Sequence, residues 1–325
     1  MRSVRFNLST PRLDSLAFAA AAVRTIYRDS PSAYRIRQLL RWPLLAFWHG
    51  REFLQWRTQC RRAPLADHLP HQPFLILKPL RPYLSCTWDC SRRMKVLADT
   101  YAALDRGPPE LRQIFAAEGL TVARLRLRSG GVLTLHAGTA WRFRKEGEIV
   151  LSAQYPDEFS GVASLTLALE YSPGGTVAYI GTLQGAADSR ELHSRLTKEL
   201  YGLRPAALLV FVAQILARTL SVSRLYAVAQ DAHVHRTKRL IYLGKPHALH
   251  RNYDRLWESL GAVRRGGGPW FEFPLQLKPR TPAEQPRRKR ALYAHRYTLL
   301  ARLQVRIEEN LGATSRLPAL ENADA

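Results

Sequence analysis

The sequence predicts an α+β fold: a helical N-terminal region followed by a mixed, mainly antiparallel sheet with helices. Three observations carry that reading. Up to about residue 119, apolar residues recur at helical spacing between proline-rich joints. From about 120 to 185 the period falls to two, and Gly-rich turns separate the runs. From 188 onward, helical stretches alternate with single short strands.

The first apolar run, Leu16 to Val23, follows Asp14 and precedes Arg24. An acid in the first turn suits a helix N-terminus, so the run is read as a helix rather than a leader peptide. Residues 34–57 carry Ile36, Leu39, Leu40, Leu44, Phe47, Trp48, Phe53 and Trp56. This is helix-compatible, with Pro43 imposing a start or a kink. Trp42, Trp48 and Trp56 among arginines would also suit a membrane interface, but burial within the helical region is the preferred reading. Pro64, Pro70, Pro73, Pro79 and Pro82 mark an irregular joint. Helices are expected at 89–104 and 109–118, parted by Gly107–Pro108–Pro109.

The strand series begins at Val122, Leu125 and Leu127, turns at Gly130–Gly131, and resumes at 132–135. Runs at 148–154, 164–171 and 176–183 follow, with Pro173–Gly174–Gly175 as a turn, which makes a meander. A helix is expected at 189–201. Gly202 ends it and Pro205 opens the next, which runs to about 220, in keeping with the preference for Pro at helix starts and Gly at helix ends. A strand at 225–230, a helix from Tyr253 to Leu260 and a strand at 270–275 complete the region. The tail carries one helix, 288–310. The expected divisions are 1–119, 120–278 and 279–325.

The order meander, helix, strand, helix, strand is analogous to N-acetyltransferases, whose bent sheet takes an acyl thioester cofactor between splayed central strands. Such an analogy concerns fold and not function.

Charge sets the partner class. The 325 residues include 49 Lys and Arg against 26 Asp and Glu, a formal charge of +23. That excess invites an anionic partner: a phosphorylated ligand, an acidic membrane surface or, ranked behind them, nucleic acid. Arg287, Arg288, Lys289 and Arg290 are the expected anionic-surface contact. The longest strongly apolar run, Pro205 to Ala217, is too short to span a bilayer, so a soluble or membrane-peripheral protein kept in the cytoplasm is expected.

Common enzyme fingerprints are absent: there is no P-loop, HExxH, GxSxG or GxGxxG. Three Cys exclude a fully paired disulfide framework. Cys60, Cys86, Cys90, His68 and His71 match no usual zinc spacing, and no metal site is expected. Gln184–Gly185 closes a strand ahead of a helix bearing Asp188 and Arg190. Backbone N–H groups there would suit a phosphate, but Asp188 opposes it, so a plain strand-to-helix turn is preferred. The segment Asp231–Ala232–His233–Val234–His235–Arg236 follows an apolar strand, where sites tend to lie. If the strand extends that far, Asp231 and His233 share a face, and a carboxylate beside an imidazole suits acid–base work. His233 and Asp231 are therefore the catalytic candidates.

Seven segments in order, EGEIVLS (146–152), IGTLQG (180–185), LTKELYGLRP (196–205), DAHVHR (231–236), NYDRLWESLGA (252–262), FEFPL (271–275) and KRALYAHRYTLL (289–300), resemble the bacterial VirK/YbjX family. The family often carries a His-Tyr pair where this chain has Thr100–Tyr101. The resemblance implies a cytoplasmic protein linked to envelope properties, Gram-negative virulence and resistance to cationic antimicrobial peptides. On these matched segments, Gln184, Lys198, Arg204, Tyr253 and Trp257 are the expected ligand-binding residues around His233. Aromatic walls, two cations and a histidine suit an anionic ligand such as a phosphopantetheine thioester, so the cofactor expectation is an acyl thioester. The leading expectation is an acyl- or aminoacyl-transferase-like enzyme, with His233 as base and Arg204 and Lys198 as anion contacts. A non-enzymatic protein docking on an anionic membrane or an envelope enzyme is the alternative, and a nucleic-acid-binding protein the second.

Overall fold

The computed structural model describes residues 11–155, 161–185, 190–237, 252–279 and 281–312. The expected cap Asp188 lies outside them. The chain divides into two compact units: Met1–Tyr83 with Thr87–Ala102, and Leu84–Cys86 with Ala103–Ala325.

The first unit is helical. It contains α1 (Pro11–Ile26), α2 (Ser32–Gln59), the short α3 (Leu65–His68), a 3-10 stretch at Pro73–Leu80, and most of α4 (Cys90–Arg106). α1 packs on α2, with the Phe18 and Phe53 rings 5.5 Å apart. The Ser15 hydroxyl donates to the Ala46 carbonyl at 2.8 Å. The expected kink is displaced: α2 runs through Pro43 and breaks at Gly50, with φ 32° and ψ −106°. Arg12 lies 3.1 Å from where a Cβ at Gly50 would sit. Packing against α1 thus sets the break at the residue whose missing Cβ permits both the conformation and the approach.

In the second unit the segment expected as a helix at 109–118 is instead a 3-10 turn, Pro109–Phe115. The sheet then forms as the period change predicts: β1 (Leu120–Arg126), β2 (Val132–Gly138), β3 (Ile149–Gln154), β4 (Ala163–Ser172) and β5 (Gly175–Gly185). After α5 (Arg190–Glu199) and α6 (Pro205–Thr219) come β6 (Val222–Val228), α7 (Tyr253–Ser259), β7 (Val263–Arg264), β8 (Trp270–Phe273) and α8 (Arg290–Asn310). The eight strands are ordered β1-β2-β3-β4-β5-β6-β8-β7. Every pair is antiparallel except β5–β6. The class is therefore the expected α+β.

α6 is apolar nearly all round and packs on β3, β4, β5 and β6 as the central core helix. α8 lies along β1 through Leu300, Leu303 and Ile307. There the Asn310 side-chain amide donates to the Val122 carbonyl at 2.9 Å.

Two irregularities open the middle of the sheet. Thr166 pairs with Thr182 but Leu167 with Ile180, so Gly181 is an extra residue on β5. The parallel ladder between β5 and β6 ends at Ile180–Ala227, while β5 continues to Gly185. β6 itself ends one residue on, at Val228, so Gly181–Gly185 of β5 have no parallel partner.

Candidate functional site

The gap left by β5 and β6 is filled by polar side chains from distant parts of the second unit. Glu146 reaches it from the turn before β3. Its main chain sits against the bulge: the Thr166 hydroxyl donates to the Glu146 carbonyl at 2.7 Å and accepts from the Thr182 N–H at 3.1 Å. A Cβ at Gly181 would collide with the Glu146 carbonyl. The glycine in the bulge is what lets this carbonyl approach.

His233 and His235 come from the segment after β6. The Cys86 N–H donates to the Ala232 carbonyl at 2.8 Å, and Ser85 forms an antiparallel bridge with His233. These bonds hold the segment against residues 84–86. Tyr253 opens α7, where the Asn252 side chain accepts from the Arg255 N–H as an N-cap. The Gln230 side chain accepts from the Tyr253 N–H at 2.9 Å, and the Asp254 carboxylate accepts from the Gln230 N–H at 2.7 Å. That reciprocal pair ties the start of α7 to the end of β6.

The side chains form one hydrogen-bonded string. The Tyr253 hydroxyl and Thr182 Oγ1 are 2.5 Å apart. Gln184 Nε2 donates to Thr182 Oγ1 at 3.1 Å and to Glu146 Oε1 at 3.3 Å. His235 Nε2 lies 3.2 Å from the same carboxylate oxygen. His233 stacks between Tyr253 and His235, at centroid distances of 4.8 and 5.2 Å. Thr182, Tyr253, Glu146 and His233 are buried, whereas Gln184 and His235 are half-buried. Gln184 and His235 are thus the solvent-facing members of the string.

The two histidines differ. Burial, aided by the neighbouring His235 and opposed weakly by the Gly181 backbone, pushes the His233 pKa down to about 3. The ring is neutral at physiological pH. His233 Nε2 is 3.8 Å from Glu146 Oε1, outside hydrogen-bond range. This has a consequence for stability. The folded pKa of about 3 lies below the ordinary 6.5, so the unfolded chain takes the proton more readily. The contribution is full above pH 6.5 and lost as pH falls from there toward 3. By pH 5, the cost is about 2 kcal/mol. Urea unfolding at pH 7 and pH 5 checks it: His233→Phe, which keeps a ring for stacking beside Glu146, His235 and Tyr253, should lose that much less than wild type.

Of the residues singled out in the sequence, the structure brings together His233, Gln184 and Tyr253. Asp231 is turned away: its carboxylate is exposed and pairs with Arg264 at 2.8 Å. β6 ends at Val228 and the chain turns at 231–232, so the alternation that would align Asp231 with His233 does not extend that far. Trp257 is fully buried behind Tyr253 and donates from Nε1 to the Val228 carbonyl at 2.8 Å, which makes it a support of the wall. Arg204 donates to the Ser259 carbonyl and hydroxyl at 3.0 and 3.2 Å, at the other end of α7. Lys198 is exposed on α5. Arg287, Arg288, Lys289 and Arg290 are exposed around the start of α8. Glu146 was not singled out. Its signal was its place in the EGEIVLS segment, an acid beside a glycine ahead of an apolar strand in an acid-poor chain.

Glu146, His233 and His235 present ligand-type atoms within 4.8 Å of one another, a set that suits a divalent cation by type. The tautomer opposes it. His233 Nδ1 accepts from the His235 N–H at 3.3 Å, which leaves the neutral ring's proton on Nε2, the atom facing the carboxylate. Of the cysteines considered as ligands, Cys60 and Cys90 are buried, and burial pushes both thiols up to about 12. Both lie in the first unit, where Cys90 has His49 and Glu52 as neighbours of ligand type within 4.8 Å.

Among the described residues, no helix is long and apolar enough to cross a membrane. No solved structure matches the chain. Across 279 residues it is 28% identical to the "Uncharacterized protein YbjX" of Escherichia coli (strain K12), covering 79% of this chain and 83% of that protein. A Haemophilus influenzae "Uncharacterized protein" is 29% identical over 150 residues, 46% of this chain and 48% of its own length. A family profile described as "Protein of unknown function (DUF535)" matches residues 31–309, extending well before the segments that carried the resemblance, and the chain belongs to that family.

Proposed function

We propose that the protein is an enzyme of the acyl- or aminoacyl-transfer type, with the Glu146–His235 pair as its acid–base centre. One observation carries this reading: the parallel ladder stops at Ile180–Ala227, and a carboxylate–imidazole pair with a tyrosine hydroxyl behind it occupies the gap. Polar groups are not needed to fill a sheet interior, and burying Thr182, Tyr253 and Glu146 costs stability unless they are paired. The single parallel pair after an antiparallel meander supports the acyltransferase analogy.

In this proposal Glu146 accepts the Nε2–H of His235 and sets the ring's orientation and tautomer, so the lone pair lies on Nδ1. An amine or hydroxyl of the acceptor gives its proton to that nitrogen as it attacks the thioester carbonyl carbon. The tetrahedral intermediate expels the thiolate. The proton returns from His235 to sulfur, leaving acylated acceptor and free thiol. His233 stays neutral and spaces the rings. The VirK/YbjX resemblance supports an envelope component as acceptor, a cytoplasmic site of action, and links to virulence and peptide resistance.

The test begins with native mass spectrometry of the protein purified from its host, which should show a bound acyl thioester or its thiol. Release of free thiol from that thioester should fall by roughly 10²–10⁴-fold in His235→Ala with an unchanged melting temperature, and comparably in Glu146→Gln. A His235→Ala protein that turns over as wild type does, or a purified protein that binds no thioester, overturns the proposal.

A further inference from the structure

α2 has two apolar faces, and the first unit covers one of them. Gln38, Trp42, Leu45, Ala46, Phe53 and Trp56 are buried. Ile36, Leu40, Leu44 and Trp48 are 57%, 64%, 65% and 81% exposed. They fall at four-residue steps, so they form one row along the helix. The row spans about 18 Å at 1.5 Å per residue and ends just before the break at Gly50.

Its surroundings are cationic. Between Asp29 and Glu52 the sequence has Arg35, Arg37, Arg41 and Arg51 and no acid. Arg37, next to Ile36, and Arg51, just past the break, are exposed. The Arg37 guanidinium lies over the exposed Tyr34 ring, 5.5 Å from its centroid.

We propose that this face of α2 docks the protein on an anionic lipid bilayer, lying in the headgroup plane with Trp48, Leu44, Leu40 and Ile36 inserted. A large exposed tryptophan beside aliphatic side chains matches the bilayer interface, where one side is apolar and the other wet. The arginines meet the lipid phosphates. A second copy of the chain fits less well: two such faces would bring several arginines together with, in this stretch, only Glu52 at its end to pair them, and Glu52 already lies 3.4 Å from His49; like charges across an interface are costly. This surface is independent of the reaction proposed for the sheet gap.

The experiment is flotation of the full-length protein with vesicles of three parts phosphatidylcholine to one part phosphatidylglycerol, and with phosphatidylcholine alone. Wild type should float with the anionic vesicles, less as salt rises. Replacing Leu40, Leu44 and Trp48 together by Ser should lower the partition coefficient by roughly a hundredfold. Because all three are exposed, the melting temperature should hold. Should the triple variant fail to fold, Trp48→Ala alone should give roughly a tenfold loss. Three results overturn the proposal. One is wild-type protein that ignores anionic vesicles. Another is a triple variant that floats as wild type does while replacing Arg287, Arg288, Lys289 and Arg290 by Gln abolishes binding, which assigns the contact to the tail. The third is a wild-type dimer in light scattering that the triple variant dissolves.

Discussion

Replacing Gly181 by alanine is expected to cost more than about 3 kcal/mol of folding stability, the largest effect of any small substitution in the sheet. The added methyl has no room. It would overlap the Glu146 carbonyl and crowd Thr166 Oγ1 at 3.1 Å, and the obstacle is main chain in a buried strand rather than a side chain that can swing away. Relief requires the turn bearing Glu146 to move off the bulge. That breaks the Thr166–Glu146 bond and carries the carboxylate away from His235. The expected outcome is a lowered denaturant midpoint together with loss of any activity that depends on the pair. Gly174→Ala is the control, since a Cβ there meets nothing within 4 Å. If Gly181→Ala unfolds within about 0.5 kcal/mol of wild type, the close seating of Glu146 on the bulge is wrong.

Trp257→Ala should destabilise the protein by about 3–5 kcal/mol. The side chain is fully buried, packs edge-on against Phe273 at 5.9 Å and tilts against Tyr253 at 5.5 Å. Its removal opens a large void and strips the Val228 carbonyl of a donor. Trp257→Phe separates the two effects: it keeps most of the volume and loses the hydrogen bond, so it should cost about 1–3 kcal/mol less than alanine. The measurement is urea unfolding of both variants at neutral pH. A loss in Trp257→Ala no larger than in Trp257→Phe would mean that packing against Phe273 and Tyr253 contributes little.

These effects sit at places the sequence marked without explaining. The segments IGTLQG and EGEIVLS were visible as strings, but nothing in either says that the second rests on the first. Gly181 and Glu146 are brought together by strand register, and Glu146 and His235 are 89 positions apart in sequence. Register is a property of strand pairs, so it cannot be read from one strand's pattern. The candidate His233 was found by its place after an apolar strand. Its neighbour Asp231 was chosen on the assumption that the strand went on, and the turn at 231–232 sends that carboxylate to Arg264 instead.

What the sequence determined by itself was the local order. The switch of hydrophobic period near 120, the Gly-rich turns and the Gly202–Pro205 joint were enough for the α+β class, because side-chain period and turn chemistry act over a few residues. What only the tertiary structure decided was which groups meet and which stay uncovered. α2 is apolar on two sides, and its sequence gives Trp42, Trp48 and Trp56 equal standing. Packing against its neighbours buries Trp42 and Trp56 and leaves Trp48 in solvent. In the sheet, a missing Cβ at Gly181 and a ladder that ends at Ile180–Ala227 converted scattered polar residues into one hydrogen-bonded string. Both outcomes depend on contacts between segments far apart in the chain, and such contacts leave no period in either segment.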